Sequence, residues 1–321
     1  MCTDCTSGRR FAVDPEVIPL LDRLDGRRLE RGAAVRHLES ARLISADEPR
    51  QWPWANWTPE AAFFHFGTRA SRFQTNGALR DRELRTKAIK GPPPAPVKVL
   101  DGQRRQLPDA ADLDGLSDVL LDRRTWRNFS KQRVTVEQLA TVLQLTFGVQ
   151  QWATVRGQGR VALKTSPSAG ARHPIEAYVV SAGVAGLPAG VYHYDAGGHA
   201  LVQVRRTRPS LPSLLAGQHY FSRAAFAIVM TAVFERSMWK YPSSRAYRSI
   251  LIDAGHLGQT FCLVATALGL APFCTMAFRE SQIDKVIGVD GVSETAMYVV
   301  GAGARPRQLR RQPGSIRGGR P

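Results

Sequence analysis

Four prolines crowd into five residues at 92–96, inside the stretch KGPPPAPVKVL from Lys90 to Leu100. Proline fixes φ and donates no backbone hydrogen bond, so neither a helix nor a central strand passes through such a run. The segment favours polyproline II and separates the chain on its N-terminal side from the chain on its C-terminal side. The chain accordingly divides into an N-terminal region over 1–90, a proline-rich linker over 91–107 and a larger domain over 108–308. Residues 309–321, within the Arg-, Gly- and Pro-rich end RQLRRQPGSIRGGRP, are expected to be disordered. With 43% of its 321 residues apolar, the chain has ample material for a buried core in the larger domain.

No uninterrupted apolar run reaches the roughly 18 residues of a membrane-spanning helix, so none is expected. The start MCTDCTSGRRFAVDPEVIP lacks a continuous apolar stretch, so no secretory signal is read and a cytoplasmic address is the default. Lys and Arg outnumber Asp and Glu by 44 to 27, a net charge of +17 that attracts polyanions. The arginines are scattered rather than set along one reading helix, which argues against nucleic acid. An acidic peptide or a phosphorylated cofactor suits the same charge. Cys2 and Cys5 form a C-x-x-C without a second pair at zinc spacing, so no metal site is expected. Cys262 and Cys274 lie in or beside an apolar helix and read as small core residues.

In the N-terminal region, EVIPLLDRLDG (16–26) and AAVRHLESARLIS (33–45) space apolar residues at helical intervals. Helix, turn, helix and the short run Leu43–Ile44 outline a small winged-helix-like module. Residues 52–75 then hold Trp52, Trp54, Trp57, Phe63, Phe64, Phe66 and Phe73, a density expected of rings buried between the two domains.

In the larger domain TVEQLATVLQLTFGVQ is helical, and strand-like runs come next at 176–181, 190–194, 200–204 and within AAFAIVMTAVF. A long helix is predicted from Ser249 to Leu270, with Leu257, Phe261, Val264, Ala265 and Leu268 on one buried face. ETAMYVVGAG reads as a further strand. Helices and strands without strict β-α-β alternation point to an α+β fold.

Three segments carry candidate chemistry. In LLDRRTWRNFS (120–130), Arg123, Arg124 and Arg127 offer forked donors that match phosphate oxygens, and Thr125 adds a hydroxyl. Taken alone, such a run is usually a solvated face. In LKTSPSAGARHPIEAYVV (163–180), Ser168, Ala169 and Gly170 let the backbone approach a flat ligand closely, or form an ordinary tight turn before a strand. In 237–272, Lys240 and Tyr241 precede a Pro-Ser-Ser loop, and Tyr247, Arg248, Asp253, His256 and Gln259 load the first half of the long helix. His256 by itself reads as a satisfied core histidine; the set reads as a polar pocket at one helix end.

Together these segments resemble the nitroreductase-type flavin enzymes, and specifically the SagB-type (azoline) dehydrogenases that act on ribosomally made peptides. The resemblance rests on the Arg-Arg-hydroxyl-x-Arg run at 123–127, PSAGARHPIEAY at 167–178, KYPSSRAYRSILIDAGHLGQ at 240–259, LGL at 268–270 and VGAGARP at 300–306. They occur in the family's order over about the last two thirds of the chain. The resemblance implies a dimeric α+β fold with a mixed sheet flanked by helices, and FMN bound at a homodimer interface. By carry-over, Arg123, Arg124, Thr125 and Arg127 would hold the phosphate, with Arg305 or Arg307 returning to it. Ser168, Ala169 and Gly170 would run along the isoalloxazine, while Gln259, Leu268, Gly269 and Leu270 would line the site.

Oxidising an azoline to an azole removes a hydride and a proton from adjacent carbons, so a base is needed beside the flavin. Lys240 and Tyr241 match the family's proton-transfer pair, with Lys240 polarising Tyr241 or the roles reversed. A peptide substrate and a cyclodehydratase partner are implied, and the N-terminal module would suit engagement of a partner or leader peptide. Asp253 stands where the family has Glu, and Ala271 where a further Gly is common. Two other readings stay open. One is a nitroreductase-type, NAD(P)H-dependent reductase or oxidase of another small molecule; the other is a flavin-free scaffold or DNA-associated protein.

Overall fold

The computed structural model describes residues 2–3, 10–11, 36, 54, 56–57, 59–68, 113–156, 158–207 and 209–306. Apart from Arg36, the segments behind the winged-helix expectation lie outside the described residues, as do Trp52, Phe73, the proline-rich linker, Arg307 and the basic tail.

The larger domain is built on a six-stranded sheet. Its strands are β3 (Ile175–Ser181), β4 (Gly190–Asp195), β5 (Ala200–Arg205), β6 (Phe226–Val233), β7 (Leu270–Thr275) and β8 (Glu294–Ala304). The spatial order is β7-β8-β6-β3-β4-β5, and every neighbouring pair is antiparallel. Parallel pairing, expected of a mixed sheet, is confined among the described residues to the two-residue ladder of Val134–Thr135 with Val184–Ala185. A separate hairpin, β1 (Gln151–Val155) and β2 (Gly159–Leu163), stands beside the sheet.

Side chains on a strand alternate between faces. Along β3, Ile175, Ala177 and Val179 enter one core cluster while Tyr178 and Val180 enter another; β6 divides the same way, Ile228 and Met230 against Ala227 and Val229. Both faces of the central strands are therefore buried, which explains their near-continuous apolar runs.

Helices α3 (Val136–Phe147) and α5 (Tyr247–Ala267) cover the first face. Helix α6 (Glu280–Ile287) and the segment around Leu211–Leu214 cover the second. Thr135 caps α3 reciprocally with Gln138, satisfying two first-turn donors. By length and composition α5 could span a membrane, but Ile250, Ala254, Leu257, Phe261 and Ala265 bury its apolar side in the core. Gly258 permits that packing: a Cβ there would lie 2.7 Å from the Tyr298 ring on β8. Cys274 sits on β7 rather than on the helix, beside buried Cys262 of α5.

The aromatic segment docks on this domain. Trp54, Trp57 and Phe66, the last on α1 (Pro59–Thr68), are buried, with the Trp54 ring 4.5 Å from that of Phe234. Trp54 Nε1 donates to the Val292 carbonyl and Trp57 Nε1 to the Tyr241 carbonyl, each at 2.9 Å. The expectation of buried rings meets an exception in Phe64, which remains 52% exposed.

Candidate functional site

Lys240 ends helix α4 (Phe234–Lys240), and Tyr241 leaves it in extended conformation. The Lys240 ammonium donates to Gln158 Oε1 at 2.8 Å, in the turn of the β1–β2 hairpin, and to the Gly170 carbonyl at 3.4 Å. Gly170 holds φ at +60°, and a Cβ there would lie 2.6 Å from both Lys240 Nζ and the Tyr241 hydroxyl. Glycine is required twice over, by the left-handed backbone and by the space. Lys240, Tyr241 and Gly170, from two segments 70 residues apart, thus converge on one spot.

The Ser168–Gly170 loop is tied to α5. Ser168 Oγ donates to Asp253 Oδ2 at 2.5 Å and accepts the His173 N–H at 2.9 Å. Burial pushes the Asp253 carboxyl above its usual range, against the opposing pull of hydrogen bonds from Ser168 and the Ala169 N–H. Asp253 is therefore a buried acceptor that orients the loop. Ala171 and His173 join Gly170 at positive φ, so three residues of this loop hold unusual backbone angles.

The structure corrects the reading of His256 as a core histidine. Its ring is exposed, because the α5 positions 251, 252, 255, 256 and 259 recur at helical spacing on the side opposite the sheet. Gln259 belongs to that exposed stripe. Leu268 caps the C-terminus of α5, Gly269 turns with φ of +69°, and Leu270 begins β7.

The arginines form a second group. Trp126 is buried and its backbone N–H donates to the Pro272 carbonyl, which sets the loop after α2 (Leu116–Asp122) against β7. The Arg305 guanidinium lies 5.0 Å from the Trp126 ring, and that of Arg127 lies 5.9 Å from Tyr220. Arg123 is half-buried near Cys262 and Cys274, and Thr125 is exposed. Arg124 is turned back on its own helix, donating to the carbonyls of Leu121 and Arg123 at 2.7 and 2.8 Å, so it stands apart from the group. No ion pair engages Arg123, Arg127 or Arg305 among the described residues. Arg305 also lines a cavity of about 330 Å³ with Gly269, Leu270 and Arg133. Arg305 and Arg133 beside such a cavity can hold a phosphate, whereas Arg123 and Arg127 are not in its lining.

Asp253 and Cys262 are nine residues apart on α5, roughly 14 Å along its axis. The loop cluster and Arg123 therefore stand toward different positions along one helix.

Gln158, Trp57 and Arg133 are not identifiable as site residues from sequence. Gln158 is flanked by glycines in RGQGR, a hairpin-tip signal, but nothing local pairs it with Lys240.

The nitroreductase family model matches residues 120–304. A nitroreductase homologue of Methanocaldococcus jannaschii is 31% identical over 59% of this chain and 91% of its own length. The trifolitoxin-processing protein TfxB of Rhizobium leguminosarum bv. trifolii is 39% identical over 42% of this chain, which spans only 38% of TfxB. Among solved structures, a nitroreductase homologue from Anabaena variabilis superposes with a TM-score of 0.51 at 29% identity, over 60% of this chain and 38% of that one. The sequence match, the antiparallel core and its flanking helices agree: the chain belongs to the nitroreductase family of oxidoreductases.

Proposed function

We propose that the chain is an FMN-dependent dehydrogenase of SagB type, oxidising azoline rings (thiazoline or oxazoline) to azoles in a ribosomally made peptide. The observation that carries this is the convergence of Lys240 and Tyr241 on Gly170. Reduction of a nitro group by hydride transfer does not call for such a pair, whereas azoline oxidation needs a group to take the ring proton. The similarity to TfxB, a trifolitoxin-processing protein, supports a peptide substrate.

FMN, when bound, supplies the hydride acceptor. Arg123, Arg127 and Arg305 would hold its phosphate, with Thr125 adding a hydroxyl and Arg124 contributing only on releasing its helix carbonyls. The Ser168–Gly170 backbone would face the ring system, with Gln259 and the Leu268–Leu270 turn lining the site and Arg307 a further candidate for the phosphate. As its phenolate, Tyr241 would accept the ring proton and become the phenol, the Lys240 ammonium, fixed by Gln158 and the Gly170 carbonyl, stabilising the phenolate's negative charge beforehand. The working form would be a cytoplasmic homodimer supplied with azolines by a cyclodehydratase.

The test has two stages. Oxidised-flavin absorption of the purified protein and release of FMN on heating establish the cofactor; a colourless protein that takes up no added FMN would overturn the proposal. An azoline-bearing peptide should then lose two hydrogen masses per ring, and Lys240→Met and Tyr241→Phe should each slow that step about 10²–10⁴-fold. Rapid bleaching of the flavin by NAD(P)H with no peptide oxidation would favour a nitroreductase-type reaction instead.

A further inference from the structure

A cavity of about 640 Å³ lined by described residues is distinct from the arginine group and from the spot where Lys240 and Tyr241 meet Gly170. It lies between the β1–β2 hairpin, the loop over 171–173, the outer half of the sheet and helix α4. At its floor Glu176 is held by Arg236 at 2.5 Å and by His193 at 2.8 Å, so that carboxylate is fully engaged. Asp195, on another wall, accepts the N–H groups of Gly197 and Gly198 through Oδ1 alone. Glu235 is exposed on α4.

The cations are not balanced in the same way. The Lys164 ammonium has no hydrogen bond or ion pair among the described residues, and burial pushes it below the usual lysine range, more than nearby Glu176 restores. A half-desolvated ammonium without an acceptor is costly unless an anion joins it. His173, in the same wall, is held neutral by burial and by Lys164 and spends its one N–H on the Ala162 carbonyl, so it brings neither charge nor donor to an anion there. On the walls, the Arg160 guanidinium stacks 4.2 Å from the Trp152 ring and that of Arg172 4.9 Å from Trp239. Stacking on an indole fixes the guanidinium plane and leaves its N–H edge free for a carboxylate.

The cavity also shares a wall with the reactive cluster. Arg172 Nε donates to the Gly170 carbonyl at 3.2 Å, the same oxygen that Lys240 reaches, and Trp239 directly precedes Lys240.

We infer that this cavity, centred on Lys164, Arg160 and Arg172, binds an acidic side chain of the substrate peptide that flanks the reacting ring. The inference rests on the proposed peptide substrate and adds a sequence preference to it: an Asp or Glu near the ring places its carboxylate among these cations while the ring lies at Gly170.

The test uses the full flavin-loaded chain and two dye-labelled, C-terminally amidated peptides of equal length. One carries aspartates beside a thiazoline and the other asparagines. Fluorescence anisotropy at about 0.1 M salt should show the aspartate peptide binding about tenfold tighter, as for a charge-assisted contact. Lys164→Met, and independently Arg160→Met on the exposed rim, should bring the ratio close to one. Arg223→Met, which removes the same charge at an exposed position outside the cavity, should leave it unchanged. Equal binding of the two peptides, or loss of the preference in Arg223→Met as large as in Lys164→Met, would overturn the assignment and reduce the effect to overall charge. Mass spectrometry of the same mixtures separates the two ideas. A retained preference without hydrogen loss sinks the azoline reading alone, whereas oxidation of both peptides with equal affinity sinks the cavity alone.

Discussion

Trp57 donates its indole N–H to the backbone carbonyl of Tyr241 at 2.9 Å, across 184 residues of chain. The residue so held is the one whose hydroxyl lies at Gly170. The aromatic segment before α1 is therefore a support for the candidate site as well as a hydrophobic dock. In Trp57→Phe the ring is kept but the donor is lost, and a partly buried carbonyl loses its partner at about 1 kcal/mol. Thermal melts should show that modest loss. Peptide oxidation should fall several-fold in kcat with little change in KM, because the backbone of a reacting residue loosens without removal of a binding group. An unchanged kcat would reduce Trp57 to packing.

Gly170→Ala tests the convergence itself. The new methyl would meet Lys240 Nζ and the Tyr241 hydroxyl at 2.6 Å, and the backbone would hold a left-handed angle at a cost of about 1–2 kcal/mol. The far end of the lysine can swing away, so the protein should fold. Once it does, the Lys240 contact with the Gly170 carbonyl is broken. Activity should fall at least about tenfold, since small misplacements of positioned groups are costly. Near-normal turnover would show that the pair acts from some other geometry.

Much of this is legible in the sequence, and the gaps have physical causes. Strand runs such as 176–181 and the long helix are readable because both faces of the central strands are buried and α5 presents one continuous apolar face. The helix begins at Tyr247 and ends at Ala267 rather than spanning Ser249 to Leu270, as its C-terminal turn passes into Gly269 at positive φ. Segments within one stretch, such as 168–170 and 240–241, can be named because their residue types are locally unusual. Gln158 and Trp57 cannot, since their partners lie 82 and 184 residues away. His256 misleads because a polar residue on an amphipathic helix has no local mark of the face it occupies. Arg124 resembles its neighbours in sequence, but the carbonyls ending α2 capture it.

Asp253 should report on the loop through pH. Its native carboxyl is raised by burial above the ordinary value of 3.8, so the folded state binds its proton more readily than the unfolded one. The stability contributed by this group therefore falls as pH rises through the window above 3.8. Asp253→Asn removes the titration, and its carbonyl can accept from only part of the Ser168 and Ala169 donor set. The difference in melting temperature between variant and parent should move in the variant's favour as pH is raised from about 4 to 7. A difference flat with pH would mean the carboxyl is not the buried acceptor described. Activity at neutral pH should fall in the variant, because the Ser168 hydroxyl loses its charged acceptor.

His173 predicts the opposite slope. Burial, reinforced by the positive charge of Lys164, lowers it to about 4 from 6.5, while its Nε2–H donates to the Ala162 carbonyl at 2.9 Å. Between those two values the unfolded chain takes up a proton that the native protein refuses. Stability from this residue is complete above pH 6.5 and is lost as pH falls toward 4. His193 is raised by its hydrogen bond to Glu176, so its contribution is complete below 6.5 and is lost only as pH rises above that value, outside the acid limb. His173→Gln keeps a donor for Ala162 and removes the charge change. The acid limb of the melting-temperature profile should then flatten relative to the parent. An unchanged limb in the variant would mean that His173 charges freely in the folded state, and that the wall of the large cavity is wetter than its burial implies.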